Sequence, residues 1–278
     1  MDISGRTRVI AHIGFPTESF KAPLIYNPWF EQCGADAVVV PMGCKADDFA
    51  AFLPLVFRLS NVGGALITMP HKVVTCGLVD RLSPVARIAG ACNAVRRAPD
   101  GALEGDMFDG EGFVRGVRGK GVTLQGARAL VVGCGGVGCA IAASLAAAGV
   151  GLLQLADVNA QSVQALGQRS QTHYPHIALQ LGSNDPLGMD LVVNATPLGM
   201  NPNDPMPVDV SRLQAHCFVG EVVMAQEVTA FLAAAQARGC RTQVGADMLF
   251  EQIPAYLEYF GFPSTSADNL RRLARLHY

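Results

Sequence analysis

Residues 130–157 read LVVGCGGVGCAIAASLAAAGVGLLQLAD, and the parsing of this stretch decides the fold. From Ala129 to Ala156 no residue carries a charge. A membrane-crossing helix needs about 20 apolar residues, so length alone would permit one. The glycines argue otherwise, because they cluster at 133, 135, 136 and 138, directly after four apolar residues. A buried strand, a tight turn, an Ala-rich helix and a second buried strand account for that order. This is one βαβ unit, and such units build parallel sheets.

The turn contains Gly133-x-Gly135-x-x-Gly138. Glycine lets the backbone turn sharply and approach a pyrophosphate, while the following helix offers free N–H groups and the positive end of its dipole. The motif alone is weak evidence, but here strand, helix and second strand flank it in the required order. Gly133, Gly135, Gly136, Val137 and Gly138 are therefore candidate cofactor-binding residues. The second strand ends in Asp157, nineteen residues past Gly138. A carboxylate there accepts hydrogen bonds from the ribose hydroxyls of NAD and repels the 2′-phosphate of NADP. The next arginine, Arg169, stands well beyond the usual phosphate partner, so the expected cofactor is NAD, with NADP less favoured.

Strand-like and helix-like runs alternate through the rest of the chain. TRVIAHIG (7–14), ADAVVVPMG (35–43) and GALITMP (64–70) read as strands, with helical segments at 22–33 and 46–59. ACNAVRRAPDGALEGD (91–106) reads as two strands about the turn Pro99-Asp100-Gly101, followed by a short helix over 109–118. The Gly-rich segment 119–128 suits a domain junction. Beyond Asp157, a helix at 159–170 and strands near 177–181 and 190–194 follow. Strands in 216–223 and 241–245 then flank a helix at 228–238, and two helices split by Gly261-Phe262-Pro263 end the chain. The fold class is α/β, with a leading α/β domain and a doubly wound dinucleotide-binding domain.

Composition narrows the function. The 278 residues are 50% hydrophobic and 16% charged, with a formal net charge of −2, which leaves no electrostatic footprint for nucleic acid. The first residues, MDISGRTRVI, show no secretory pattern. The eight cysteines form no CxxC and no zinc spacing, and neither do the histidines at 12, 71, 173, 176, 216 and 277, so no metal is expected. Reduced thiols and a cytoplasmic location follow. His71 reads more readily as a surface residue than a site residue. Glu221, in the strand-like FVGEVV, could face a cleft or lie at a surface edge. Cys134 sits in the glycine turn, where the backbone does the binding, and carries no assigned chemistry.

Six segments, in order, carry a family likeness: GFP (14–16), TMPHK (68–72), GACNAV (90–95), GDMFDG (105–110), NATPLGM (194–200) and GADMLFEQ (245–252). As a combination this set resembles the shikimate/quinate dehydrogenase family along nearly the whole chain. The resemblance implies a substrate domain over 1–112, completed by the helices of 246–278, an NAD(P) domain over 113–245, and an active site in the cleft between them. It places the catalytic lysine at Lys72 and its partner aspartate at Asp109. Substrate-side roles fall on Thr68, Asn93 and Gln252. Asn194, Ala195, Thr196, Gly245 and Met248 fall beside the dinucleotide. The chemistry needs such a pair, since oxidising an alcohol sends a hydride to the nicotinamide and a proton to a nearby base. The implied partner is a small molecule, and the family contains both monomers and homodimers.

The likeness breaks at the substrate contacts. The family's Gly-x-Pro-x-x-x-Ser-x-Ser-Pro pattern puts Phe20 and Ala22 at the two serine positions. Thr17 and Ser19 lie nearby as possible replacements. Leu66 stands where the family has a substrate-binding asparagine, Met107-Phe108 where it has Asn-Thr, and Met224 where it has a tyrosine. A buried polar group left unpaired costs on the order of 1–3 kcal/mol. The sequence therefore points to an NAD-dependent dehydrogenase of this family acting on a substrate other than shikimate, less polar or differently substituted. Two alternatives stand beside it: a shikimate or quinate 3-dehydrogenase proper, and a catalytically silent nucleotide-binding relic. Retention of Lys72, Asp109, Thr68, Asn93 and Gln252 speaks against the relic.

Overall fold

A computed structural model describes residues 2–18 and 20–276; Ser19 and His277 lie outside the described residues. The chain runs β1 (Arg8–Gly14), α1 (Pro23–Cys33), β2 (Ala37–Gly43), α2 (Ala46–Val56), β3 (Val62–Ile67), β4 (Arg81–Leu82), α3 (Pro84–Ala89), β5 (Ala94–Arg97) and β6 (Leu103–Asp106). It continues α4 (Asp109–Gly119), β7 (Arg128–Val132), α5 (Gly136–Ala147), β8 (Leu152–Ala156), α6 (Ala160–His173), β9 (Ala178–Leu181) and β10 (Leu191–Asn194). Last come β11 (Phe218–Glu221), α7 (Ala230–Ala237), β12 (Arg241–Gln243), α8 (Gly245–Phe260) and α9 (Ala267–Leu273).

The chain divides into two compact units, one reaching to Phe108 and resuming at Ile253, the other spanning Asp109–Gln252. These divisions fall at the head of α4 and within α8, four and seven residues from the 112/113 and 245/246 boundaries read from the sequence.

In the first unit the sheet order is β2-β1-β3-β5-β6-β4. β1 pairs in parallel with β2 and β3, while β3–β5 and β5–β6 are antiparallel. Side chains alternate along each strand, so the two sheet faces have different contents. Ala11, Ile13, Ala65, Ile67 and Val95 cluster with Phe49, Leu53 and Val56 of α2. His12, Leu66 and Ala94 are register partners across β1, β3 and β5 on the opposite face. β3 ends at Ile67 rather than running to Pro70, and the segment carrying Lys72 is a turn closed by the His71 N–H donating to the Thr68 carbonyl. Helix α3 was not foreseen, although its signals are in the sequence. Ser83 caps it by accepting from the Ala86 N–H at 3.1 Å, Pro84 occupies the first turn, and Gly90 ends it at φ 65°.

In the second unit the strand order is β12-β11-β10-β7-β8-β9, all parallel. Counted within the unit this is 3-2-1-4-5-6 read from the far edge, the doubly wound dinucleotide-binding order. β7 lies between β8 and β10, so the winding reverses there and a crevice opens at the strands' carboxyl ends. The four residues of β10 are all buried, as strands covered on both faces must be.

Candidate functional site

The glycine turn leaves β7 at Gly133, whose φ of 102° is in the left-handed region that only glycine enters without strain. A Cβ on Gly138 would overlap the Gly133 carbonyl oxygen, so the turn can fold onto the start of α5 only with glycine there. Gly135 and Gly136 are exposed, with nothing within 4 Å of a Cβ, and Val137 is half-buried. No side chain caps the N-terminus of α5, which leaves its first N–H groups and dipole available to an anion. These features fit a dinucleotide pyrophosphate.

Asp157 stands just past β8. Its Oδ2 accepts from the Cys134 N–H at 2.6 Å and its Oδ1 from the Asn159 N–H at 2.8 Å. The carboxylate thus ties the glycine turn to the head of α6, where Asn159 caps. Each carboxylate oxygen retains a lone pair that could accept from a ribose hydroxyl. No lysine or arginine occurs from 129 to 168, and the Arg169 guanidinium lies 3.7 Å from the Cys139 sulfur.

At the end of β10, Asn194 is fully buried. Its Oδ1 accepts from the Thr196 N–H and hydroxyl at 3.1 and 2.6 Å, and its amide donates to the Leu198 carbonyl at 2.9 Å. The resulting turn brings the Ala195 carbonyl to 2.7 Å from where a Gly133 Cβ would be. Asn194, Ala195 and Thr196 are therefore gathered beside the glycine turn at the winding reversal. Glu221 pairs in register with Asn194 on β11, an interior strand, and is fully buried. That removes the surface-edge reading. The Thr229 hydroxyl donates to its Oε2 at 2.8 Å, Asn194 also bonds its carboxyl, and among the described residues its Oε1 has no hydrogen-bond partner. Burial pushes this carboxyl up to about 7, against the pull of those two bonds. Further along, Gly245 packs against the Val223 carbonyl and Met248 is buried. Gln252 is buried with its Oε1 unpartnered among the described residues, and Met224 is exposed.

In the first unit, residues converge at the carboxyl ends of β1 and β3. A Cβ on Gly14 would meet Thr68, and would lie 2.8 Å from the Phe20 ring and 2.9 Å from the Met69 carbonyl. Phe20 stacks on His12 with centroids 4.1 Å apart. The Lys72 carbonyl accepts from the Cys92 N–H at 2.8 Å, which holds the lysine's backbone against the segment that carries Asn93 just ahead of β5. Asn93 is buried and its Oδ1 accepts from the Phe108 N–H at 2.9 Å, fixing the segment that leads into Asp109. Asp109 is itself buried in the first turn of α4.

The apolar replacements differ in placement. Leu66 is buried on the His12 face, Ala22 is half-buried just before α1, and Thr17 approaches Gly43 at the end of β2. Met107 is interior, and Phe108 packs against Tyr256 and Tyr259 at 4.8 and 5.2 Å, so both serve the core of this unit. His71 is not a surface residue. Its ring stacks on Phe49 at 3.9 Å and its Nε2 lies 2.8 Å from the Cys44 carbonyl oxygen. The residue that sequence reasoning missed is His12, set aside there for lack of metal spacing. Burial, reinforced by the Lys72 charge, lowers its imidazole to about 4. Its signal was a polar side chain within the apolar run that follows Arg8 in β1.

Among the described residues no group of three or more His, Cys, Asp or Glu is placed to hold a metal ion. No helix is long and apolar enough to cross a membrane.

Residues 13–95 match the shikimate dehydrogenase substrate binding domain, and residues 117–169 match the ThiF family. The shikimate dehydrogenase (NADP(+)) of Acidiphilium cryptum is 34% identical over 274 residues, 98% of this chain and 97% of that protein. The structure of quinate dehydrogenase from Corynebacterium glutamicum in complex with NAD is 29% identical, with a TM-score of 0.84 over 96% of this chain and 98% of that one. Shikimate 5-dehydrogenase from Listeria monocytogenes, solved with shikimate and NAD, has a TM-score of 0.90 with 98% of each chain covered. At 24% identity that last likeness shows the fold.

Proposed function

Because the chain belongs to the shikimate dehydrogenase family, and so is a nicotinamide-dependent oxidoreductase acting on CH–OH groups, we propose that it uses NAD and a cyclic hydroxy-acid-like alcohol or ketone other than shikimate. The observation that carries the substrate reading is Phe20 stacked on His12, where the family pattern has a serine hydroxyl. A phenyl ring donates no hydrogen bond, and Ala22 supplies none at the second position. The NAD reading rests on Asp157, with no cation along 129–168 to offset its charge.

Bound NAD supplies the hydride acceptor, and its reduced form the donor. The glycine turn and the head of α5 would hold the pyrophosphate, and Asp157 would accept from the ribose hydroxyls. Lys72, as the neutral amine, receives the proton of the alcohol oxygen in oxidation and becomes an ammonium, and in reduction that ammonium returns the proton to the ketone oxygen, with Asp109 as its partner in that relay. Thr68, Asn93 and Gln252 orient the substrate.

A second reading is favoured by the NADP(+) shikimate dehydrogenase 34% identical across 98% of the chain: the same enzyme activity, on shikimate, with NADP. Steady-state kinetics with shikimate, quinate and carboxylate-free ring alcohols, each with NAD and NADP, separate the two. The first reading expects a higher kcat/KM with NAD and a substrate preferred over shikimate. Highest efficiency with shikimate and NADP would establish the second.

A further inference from the structure

Two histidines of the first unit are stacked on phenylalanine rings near the ends of β1 and β3, and they are treated differently. His71, on Phe49, brings its Nε2 to 2.8 Å from the Cys44 carbonyl oxygen. His12, on Phe20, is only 8% exposed, yet among the described residues its buried Nδ1 has no hydrogen-bond partner. Buried side-chain nitrogens are nearly always paired, and one left alone costs stability, so an exception calls for a partner that the described residues do not supply. The position says what kind. His12 shares its sheet face with Leu66, its ring lies under Phe20, and the Lys72 ammonium is close enough to act on it electrostatically. Leu66 and Phe20 occupy places where the family pattern has substrate-binding polar side chains.

We infer that His12 is a specificity-determining residue of the substrate site, an imidazole that hydrogen-bonds a ring hydroxyl of the substrate beside Lys72. The inference rests on the function proposed above and names the chemistry its substrate must carry. A neutral imidazole has one donor and one acceptor, and a hydroxyl can answer either. A carboxylate asks for several donors at once, which Phe20 and Ala22 do not offer. Phe15 and Met69, joined by the Phe15 N–H to Met69 carbonyl bond at 3.0 Å, are 49% and 74% exposed at the same strand ends. A ring alcohol with an apolar edge suits that rim better than a polyanion.

The test uses the full chain with NAD, and shikimate and cis-1,2-cyclohexanediol as probes. His12→Leu raises KM for the ring alcohol by roughly 10- to 100-fold and leaves KM for NAD and kcat within about threefold. His12→Asn, whose amide sits near the former Nδ1, recovers most of that loss. In the wild type the His12 Cε1–H resonance, identified by its absence in His12→Asn, shifts when the turned-over probe is added. Unchanged KM in both variants, or an unmoved resonance in a wild type that oxidises the probe, overturns the inference while the proposed function stands. If the leucine variant does not melt cooperatively, the asparagine variant and the resonance decide. A wild type inert toward every ring alcohol with both cofactors removes the proposed function, and His12's role with it.

Discussion

Glutamine in place of Glu221 should change the slope of stability against pH. The buried carboxyl titrates near 7, against an ordinary 4.5, because burial disfavours its charged form. The folded chain therefore holds this proton more tightly than the unfolded chain does. Stability from this group is fully present below pH 4.5 and is lost as pH rises through 7, a loss of roughly 3 kcal/mol. Glutamine keeps an oxygen to accept from the Thr229 hydroxyl but puts an NH2 where Oε1 has no partner, a pH-independent cost of about 1–3 kcal/mol. Glu221→Gln should accordingly be the less stable protein at pH 5 and should equal or exceed the wild type at pH 8. The difference in melting temperature should swing by roughly 6 °C over that range. His12 titrates with the opposite sign, since its lowered value costs stability as pH falls below 6.5, but it does so in both proteins and cancels in the difference. Thermal melts of both proteins at pH 5, 6, 7 and 8 supply the measurement. Parallel curves would refute the reasoning, because they would mean that Glu221 ionises as readily folded as unfolded.

Two further substitutions each probe one of the two units. Lys72→Ala should lower kcat by about 10²- to 10⁴-fold while leaving KM for NAD near its wild-type value, and unchanged kcat would remove Lys72 from the proton transfer. Gly138→Ala forces a Cβ onto the Gly133 carbonyl, so NAD binding measured by calorimetry should fall by at least tenfold; retained affinity would show that the turn opens without loss.

Much of this architecture is local, and to that extent it was legible. Strands covered on both faces must be largely apolar, so β8, β10 and β7 beyond Arg128 announce themselves as uncharged runs. The glycine turn is legible because its constraint is steric: Gly133 at φ 102° and Gly138 against a carbonyl admit no other residue without strain. Short elements fared worse. Helix α3 has six residues, too few for a periodic signal, and its Ser83-Pro84 start and Gly90 stop were the marks to read. The family likeness named Lys72, Asp109 and Asn93 because those residues keep their motifs, whereas His12 belongs to no motif.

What the sequence determined by itself is therefore the set of pieces: alternating strands and helices, a glycine turn, a carboxylate nineteen residues beyond its last glycine, and an ordered set of motifs. Tertiary structure alone decided which distant residues meet. The order β12-β11-β10-β7-β8-β9 sets Asn194 and the glycine turn side by side. The parallel pairing of β1 with β3 puts Leu66 beside His12. The packing at the end of that pair sets Phe20 over His12 and the Lys72 charge near it. His71, read from sequence as a surface residue, is turned inward by Phe49, and Glu221, read as facing a cleft or lying at a surface edge, is buried on an interior strand. A residue's propensity depends on its near neighbours along the chain, but its solvation and partners depend on contacts made after the chain has folded back on itself, and site chemistry is built from the second.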